Sequence, residues 1–273
     1  MIPASFDYVE ADSVDGAIAA LTEHGDEAKL MAGGHSLLPL MKFRLANPAV
    51  VVDIGRLSGL DQITDGGDHI SIGALATHQT VETSALLRTE APLMAHVAGQ
   101  VGDPSVRHRG TLGGSLAHGD PASDLPAAFL AMGGSVIAKG PNGEREIGST
   151  DLFTGFLETA LADDEMMTEI RVPKAAGAGW SFQKFNRRAQ DWAIVGVAAV
   201  NNGSARVSLI NMGPSPMLSE AVQNALAGGA SAEDAAAVAS DGTSPPTDLN
   251  GDAEYRSHLA RVLTARALAE AGV

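Results

Sequence analysis

No cysteine occurs among the 273 residues. Structural disulfides, thiolate nucleophiles and cysteine-ligated iron–sulfur clusters are therefore excluded from this chain, and any cluster it works with must be held by another polypeptide. Positive charge is also scarce. Lys and Arg total 18 against 33 Asp and Glu, a formal net charge of −15 at pH 7. No basic stripe is available to neutralise a nucleic-acid backbone. An acidic surface favours solubility. It also means that a phosphorylated ligand must be held against the overall field, by local backbone amides and a few basic side chains. No apolar run approaches the ~18 residues of a spanning helix. The first residues, Met1 to Tyr8, lack the basic and apolar segments of a signal peptide, so a cytoplasmic location is expected. Missing too are G-x-G-x-x-G, the P-loop G-K-[ST], H-E-x-x-H and H-x-x-x-H pairs, and the G-x-S-x-G elbow. Nicotinamide-type and P-loop sites, a histidine-based metal site and an elbow hydrolase lose their support. No metal ligand set and no catalytic acid or base is nominated.

What is present suits a globular protein. Hydrophobic residues make up 45% and charged residues 19%, enough apolar material for a large domain followed by a smaller one. Ser13 is placed to cap a helix over Val14 to His24, with Ala17, Ile18 and Leu21 on one face and Gly25 at its end. Ala28 to Met31, Val50 to Ile54 and His69 to Gly73 read as strands. Thr77 to Leu87 and Pro92 to Val101 read as helices. Gly102 to Pro121 holds five glycines and two prolines and reads as too polar and broken for a core element. Asp124 stands in the capping region of an apolar helix reaching Met132. Ser135 to Ala138 and a Gly140 to Gly143 turn predict a hairpin, and Met167 to Val172 a further strand. The small residues from Ala175 to Gly179 mark a boundary. Beyond it, strands at Trp180 to Phe185, Ala193 to Asn201 and Ala205 to Asn211 precede helices at Ser219 to Leu226, Ala232 to Ala239 and Tyr255 to Ala271. That order predicts a sheet with helices on one face.

Two glycine-rich segments stand out. Ala32-Gly33-Gly34-His35-Ser36 follows a strand and precedes a short helix that Ser36 can cap. Paired glycines there allow close approach of a ligand to exposed N–H groups, a site suited to a pyrophosphate. Alone, this segment reads as readily as a tight turn with no ligand. Gly110 to Ser115 repeats the idea and adds the Thr111 and Ser115 hydroxyls. Lys42, Arg44, Arg107, His108 and Arg109 flank the two segments, a concentration of cations in an acidic chain. Two such segments favour a dinucleotide over a mononucleotide. His35 reads as a hydrogen-bonding residue, Asp120 as a turn residue and Asp124 as a cap.

In order and spacing, these segments resemble the FAD-binding medium subunit of the molybdenum hydroxylase family, of carbon monoxide dehydrogenase and xanthine dehydrogenase type. The likeness runs from Phe6-Asp7-Tyr8 through Ala32 to Lys42, Arg44 to Pro48, Val52-Asp53-Ile54, Ile72-Gly73-Ala74 and Gly102 to Ser115. It continues into Ala117 to Pro126, Arg187-Arg188, Asp191, Ala193, Asn211-Met212-Gly213 and Tyr255 to Leu259. It implies an α+β fold: a two-lobed FAD-binding domain of the vanillyl-alcohol-oxidase type, residues 1–175 with lobes about 1–55 and 56–175, then a C-terminal domain, 176–273. It also implies non-covalent FAD. The first segment (Ala32, Gly33, Gly34, His35, Ser36) would hold the pyrophosphate, and Thr111, Leu112, Gly113, Gly114 and Ser115 would complete the site. Asp124 would bond the sugar or ribityl portion, with Val101, Met167 and Lys184 near the flavin. Many relatives carry Asn where this chain has Ser115, and in distant ones a histidine like His35 is bonded to flavin.

The resemblance further implies a large molybdopterin-binding partner and a small [2Fe–2S] partner, arranged as a dimer of heterotrimers. Electrons would reach the FAD from those clusters and leave to an external acceptor such as a quinone or dioxygen. The complex could then sit peripherally on the inner face of the membrane. Two alternatives remain open: a stand-alone FAD-dependent oxidase or reductase with its own substrate pocket, and an assembly protein that has lost FAD. The substrate is left open.

Overall fold

In the computed structural model, which describes residues 2–273, the chain begins on three short parallel strands. Val50–Asp53 lies between Asp7–Glu10 and Ala28–Met31. The central strand is buried on both faces, as parallel strands usually are: Val50, Val51 and Val52 are all buried. The helix Val14–His24 presses Ala17, Ile18 and Leu21 into the same cluster as Val50 and Val52. Its start and stop follow the sequence signals: Ser13 accepts the Gly16 N–H at 3.1 Å, and Gly25 leaves the helix at φ 57°.

Five antiparallel strands form a second sheet in the order Ile63–Asp65, His69–Gly73, Met166–Pro173, Ser135–Gly140, Gly143–Gly148. The helices Pro92–Gln100 and Asp124–Met132 fill the core beside it, and every residue of Asp124–Met132 is buried. A third sheet, Gly179–Phe185, Val195–Asn201, Ala205–Ile210 and Met217–Leu218 in sequence order, follows. The three helices that come after it, Glu220–Ala227, Ala232–Ala237 and Ala253–Glu270, share one apolar cluster with it. The strand Val195–Asn201 alternates between two cores. Val195, Val197 and Ala199 join those C-terminal helices, while Ala198 and Val200 join the core containing Asp124–Met132. The sheet's second face is thus covered by an earlier helix. Polar contacts reinforce that cover: Ser208 Oγ donates to Ala127 O at 2.6 Å and Arg206 to Leu130 O at 2.9 Å.

Two expectations need correction. The single helix read over Thr77 to Leu87 is two, His78–Thr83 and Ala85–Glu90. Ser84 separates them because its hydroxyl accepts the Leu87 N–H at 3.3 Å, and serine competes with the helix in this way. The stretch Gly102 to Pro121 is not a loop throughout. It holds the helices Pro104–Arg109 and Leu112–His118, each opened by a cap: Asp103 accepts Val106 N–H at 3.1 Å, and Thr111 accepts Gly114 N–H at 3.1 Å. Among the described residues, no helix is long and apolar enough to cross a membrane.

Candidate functional site

A cavity of about 630 Å³ is lined by residues from the parallel sheet, from the segment 101–124 and from the start of the C-terminal sheet. That volume is in the range of cofactor clefts. Of the sequence-nominated residues, Ala32, Gly33, Gly34, His35, Ser36, Val101, Thr111, Gly113, Gly114, Ser115, Asp124, Met167 and Lys184 all line it. Leu112 does not. Its side chain is fully buried in the core, as the first residue of the Leu112–His118 helix.

The two glycine segments touch each other. A Cβ on Gly33 would stand 2.0 Å from the Arg109 carbonyl oxygen, so the absence of a side chain there is required by the protein itself. Gly34 has φ 72° and swings the backbone into the helix Leu37–Lys42. Ser36 occupies the N-cap position but makes no side-chain capping bond. Among the described residues, no protein acceptor takes the N–H of Gly33, Gly34, His35 or Ser36. These residues are half-buried or exposed rather than sealed in the core, so four free amides at the wall of a cavity form a ready donor site for a ligand's oxygens.

The second segment differs. Leu112 N–H donates to Ala76 O at 2.9 Å and Gly113 N–H to Ala74 O at 3.0 Å. Gly114 N–H donates to Thr111 Oγ1, and Ser115 N–H to Thr111 O at 3.0 Å. The amides of Leu112 to Ser115 are thus committed, contrary to the expectation of two equivalent anion cradles, while the Thr111 N–H has no protein acceptor among the described residues. The segment's hydroxyl-bearing residues, Thr111 and Ser115, line the cavity. The Gly113 position is dictated by packing, since a Cβ would lie 2.6 Å from Ala74 O.

Asp124 is the first helical residue rather than the cap, which is Ser123. Lys184 Nζ reaches it at 2.6 Å and donates also to Gln100 O at 3.1 Å. Both side chains are nearly buried. Asp124 Oδ1 is buried with no hydrogen-bond partner. Burial raises the carboxyl to about 6, and Lys184 beside it pulls the other way. His78, on the same wall, is pushed down to about 4 by burial, with smaller contributions from His35 and Arg107. His35 Nε2 lies 3.4 Å from Ser105 O.

The flanking cations are a further correction. Lys42, Arg44, Arg107, His108 and Arg109 do not line the cavity. In the helix Pro104–Arg109, His108 and Arg109 are exposed, with His108 beside Gln79 at 2.9 Å, while the half-buried Arg107 is spent on Glu82 at 2.9 Å and on Val101 O at 3.1 Å. The lysines on the wall are Lys29 and Lys184. Sequence reasoning missed Leu37, Leu40, His78, His118 and Trp192, all lining residues. The i, i+3 spacing of Leu37 and Leu40 was available as a signal that both face one side; nothing local marks Trp192.

Comparison with known proteins settles the family. The family model described as the FAD binding domain in molybdopterin dehydrogenase matches residues 4–175. The chain belongs to this family. A second model, the CO dehydrogenase flavoprotein C-terminal domain, matches residues 180–271. The chain is 39% identical to the carbon monoxide dehydrogenase medium chain of Hydrogenophaga pseudoflava, over 98% of this chain and 97% of that one. It is 37% identical to the 6-hydroxypseudooxynicotine dehydrogenase complex subunit alpha of Paenarthrobacter nicotinovorans, over 99% and 96%. Among solved structures, the carbon monoxide dehydrogenase from Hydrogenophaga pseudoflava that lacks the Mo-pyranopterin moiety of the molybdenum cofactor superposes with a TM-score of 0.96. The identity is 40%, with 100% of this chain and 99% of that one covered. This chain is therefore an FAD-binding oxidoreductase subunit of the carbon monoxide dehydrogenase medium-chain type. The cavity suits FAD on its own evidence: free amides for phosphate oxygens, an unpartnered buried carboxylate oxygen for a hydroxyl, and apolar wall from Val101 and Met167.

Proposed function

We propose that this chain is the electron-transfer flavoprotein of a molybdenum-containing hydroxylase. Bound FAD would supply the redox chemistry, taking electrons from [2Fe–2S] clusters of a small partner served by a large molybdopterin subunit, and yielding them to an external acceptor such as a quinone or dioxygen. The chain's own residues bind and orient. Gly33, Gly34, His35 and Ser36 would hold the pyrophosphate through their N–H groups. Thr111 and Ser115 would add hydroxyl bonds, and Asp124, fixed by Lys184, would accept from a hydroxyl of the sugar or ribityl chain. Val101 and Met167 would exclude water from the ring. In this division residues 1–175 carry the cofactor between lobes 1–55 and 56–175, and residues 176–273 close the cleft with Lys184 and Trp192. The observation that carries the reading is the meeting, in one cavity, of four unsatisfied backbone donors and one buried carboxylate oxygen without a partner.

The test is purification under non-denaturing conditions from the source organism. Co-elution with a molybdenum-containing large protein and an iron–sulfur small protein is expected, with no turnover of electron donors by the isolated chain. Turnover by the isolated chain would instead make it a self-sufficient oxidase or reductase. The FAD is held without a covalent bond in this reading, so acid precipitation should release all flavin into the supernatant; yellow colour kept in the pellet would point to a bond at His35.

A further inference from the structure

The segment Tyr255-Arg256-Ser257-His258-Leu259 lies in the helix Ala253–Glu270, and none of its residues lines the cavity. Yet Arg256 is wholly buried, an unusual place for a guanidinium. It donates to Ile194 O and, at 3.4 Å, to Gly251 O, and it pairs with Asp248 at 2.7 Å. Ile194 closes the loop that leaves Phe185, its N–H donating to Phe185 O at 2.8 Å. At the opening of that loop, the Phe185 ring meets Tyr255 edge-on, with centroids 6.4 Å apart. Neighbouring residues of one helix therefore hold both ends of the loop. Asn211 grips it from another side, donating to Ala193 O at 3.1 Å and Ile194 O at 3.3 Å, while its own N–H donates to Pro121 O at 2.8 Å. Asn211 keeps φ 62° to do so. The held loop carries Gln190, Asp191 and Trp192 to the cavity wall, directly after Lys184. Inside the loop, Arg188 pairs with Asp191 at 3.0 Å, with Arg188 exposed; such a pair orders a loop weakly.

We propose that Tyr255, Arg256 and Asn211 are positioning residues for the cofactor cleft: they fix the Phe185–Ile194 loop so that Lys184 stays on Asp124 and Trp192 stays at the wall. The cofactor role rests on the reading of the cavity as the FAD site; the anchoring does not.

The experiment uses the full chain and two readouts, the rate of limited trypsin cleavage at Arg187-Arg188 and FAD affinity by fluorescence titration. Tyr255 is 41% exposed, so Tyr255→Ala leaves the unfolding midpoint near the wild-type value. It should speed cleavage and weaken FAD binding by about fivefold each, the scale of one lost contact. Tyr255→Phe keeps the ring and should restore both. Asn211→Gly keeps the positive φ, removes the amide, and should act like Tyr255→Ala. Wild-type cleavage in Tyr255→Ala and Asn211→Gly would overturn the proposal. So would faster cleavage with unchanged FAD affinity, or weaker binding with unchanged cleavage. Faster cleavage in a protein that binds no FAD in any form would overturn the cavity assignment and its cofactor role while leaving the anchorage standing.

Discussion

Gly113 and Gly114 are adjacent but carry different burdens. A methyl on Gly113 collides with the Ala74 backbone; one on Gly114 meets only Thr111 Oγ1, at 2.8 Å. Gly113→Ala should therefore fail to reach a native thermal transition, whereas Gly114→Ala should fold, with a loss of about 1 kcal/mol from a disturbed cap, and bind FAD less tightly. Circular dichroism melts with FAD titration separate the two; equal behaviour would contradict the packing of Gly113 on Ala74. Two buried titrating groups act in opposite senses. His78 has its folded pKa lowered to about 4 from 6.5, so the unfolded chain binds more protons between those values and stability falls as pH drops through them. Asp124 has its folded pKa raised from 3.8 to about 6. The folded chain binds more protons in that window, so its contribution is present at low pH and lost as pH rises through about 6. His78→Gln should therefore flatten or reverse the acid loss of stability, and Asp124→Asn should steepen it. Chemical unfolding across the window checks both signs.

Elements with caps and a one-sided apolar pattern were legible, and the helix Val14–His24 begins and ends where Ser13 and Gly25 indicate. Strands with alternating burial, such as His69–Gly73, were legible too. The short strands Asp7–Glu10 and Ile63–Asp65 were not, because they are mostly exposed and lack an apolar face. The helix Leu112–His118 hid behind its glycines: it forms because Thr111 caps it and because Leu112 and Leu116 are drawn into the core, a tertiary effect no local propensity shows. For the site, the glycine segments and Asp124 were readable as residues. Their division of labour was not, because which amides are free depends on Ala74 and Ala76, remote in sequence. Thr111→Val tests this element. Loss of the cap should cost about 1 kcal/mol, and Thr111→Ser should recover most of it; an unchanged melting temperature for Thr111→Val would count against the cap.

Across the whole molecule, the cleft depends on both halves of the chain. The helix Asp124–Met132 supplies Asp124 to the cavity and is covered by the strands Val195–Asn201 and Ala205–Ile210, through Ala198, Val200 and the Ser208 bond to Ala127. Lys184, the partner of Asp124, comes from the same sheet. Residues 1–175 expressed alone should therefore expose that apolar helix, unfold without cooperativity and retain no FAD. A soluble, flavin-binding fragment would show that the C-terminal sheet is dispensable. The acidic surface, net charge −15, is consistent with a cofactor held by backbone dipoles rather than by a basic field.

The most direct test is a crystal structure of the full chain reconstituted with FAD. The expected result is pyrophosphate oxygens within hydrogen-bonding distance of the Gly34, His35 and Ser36 amides, a flavin or sugar hydroxyl on Asp124 Oδ1, and the Gly113 amide still on Ala74 O. Phosphates bound by the amides of Gly113 and Gly114, or FAD lying outside this cavity, would contradict it.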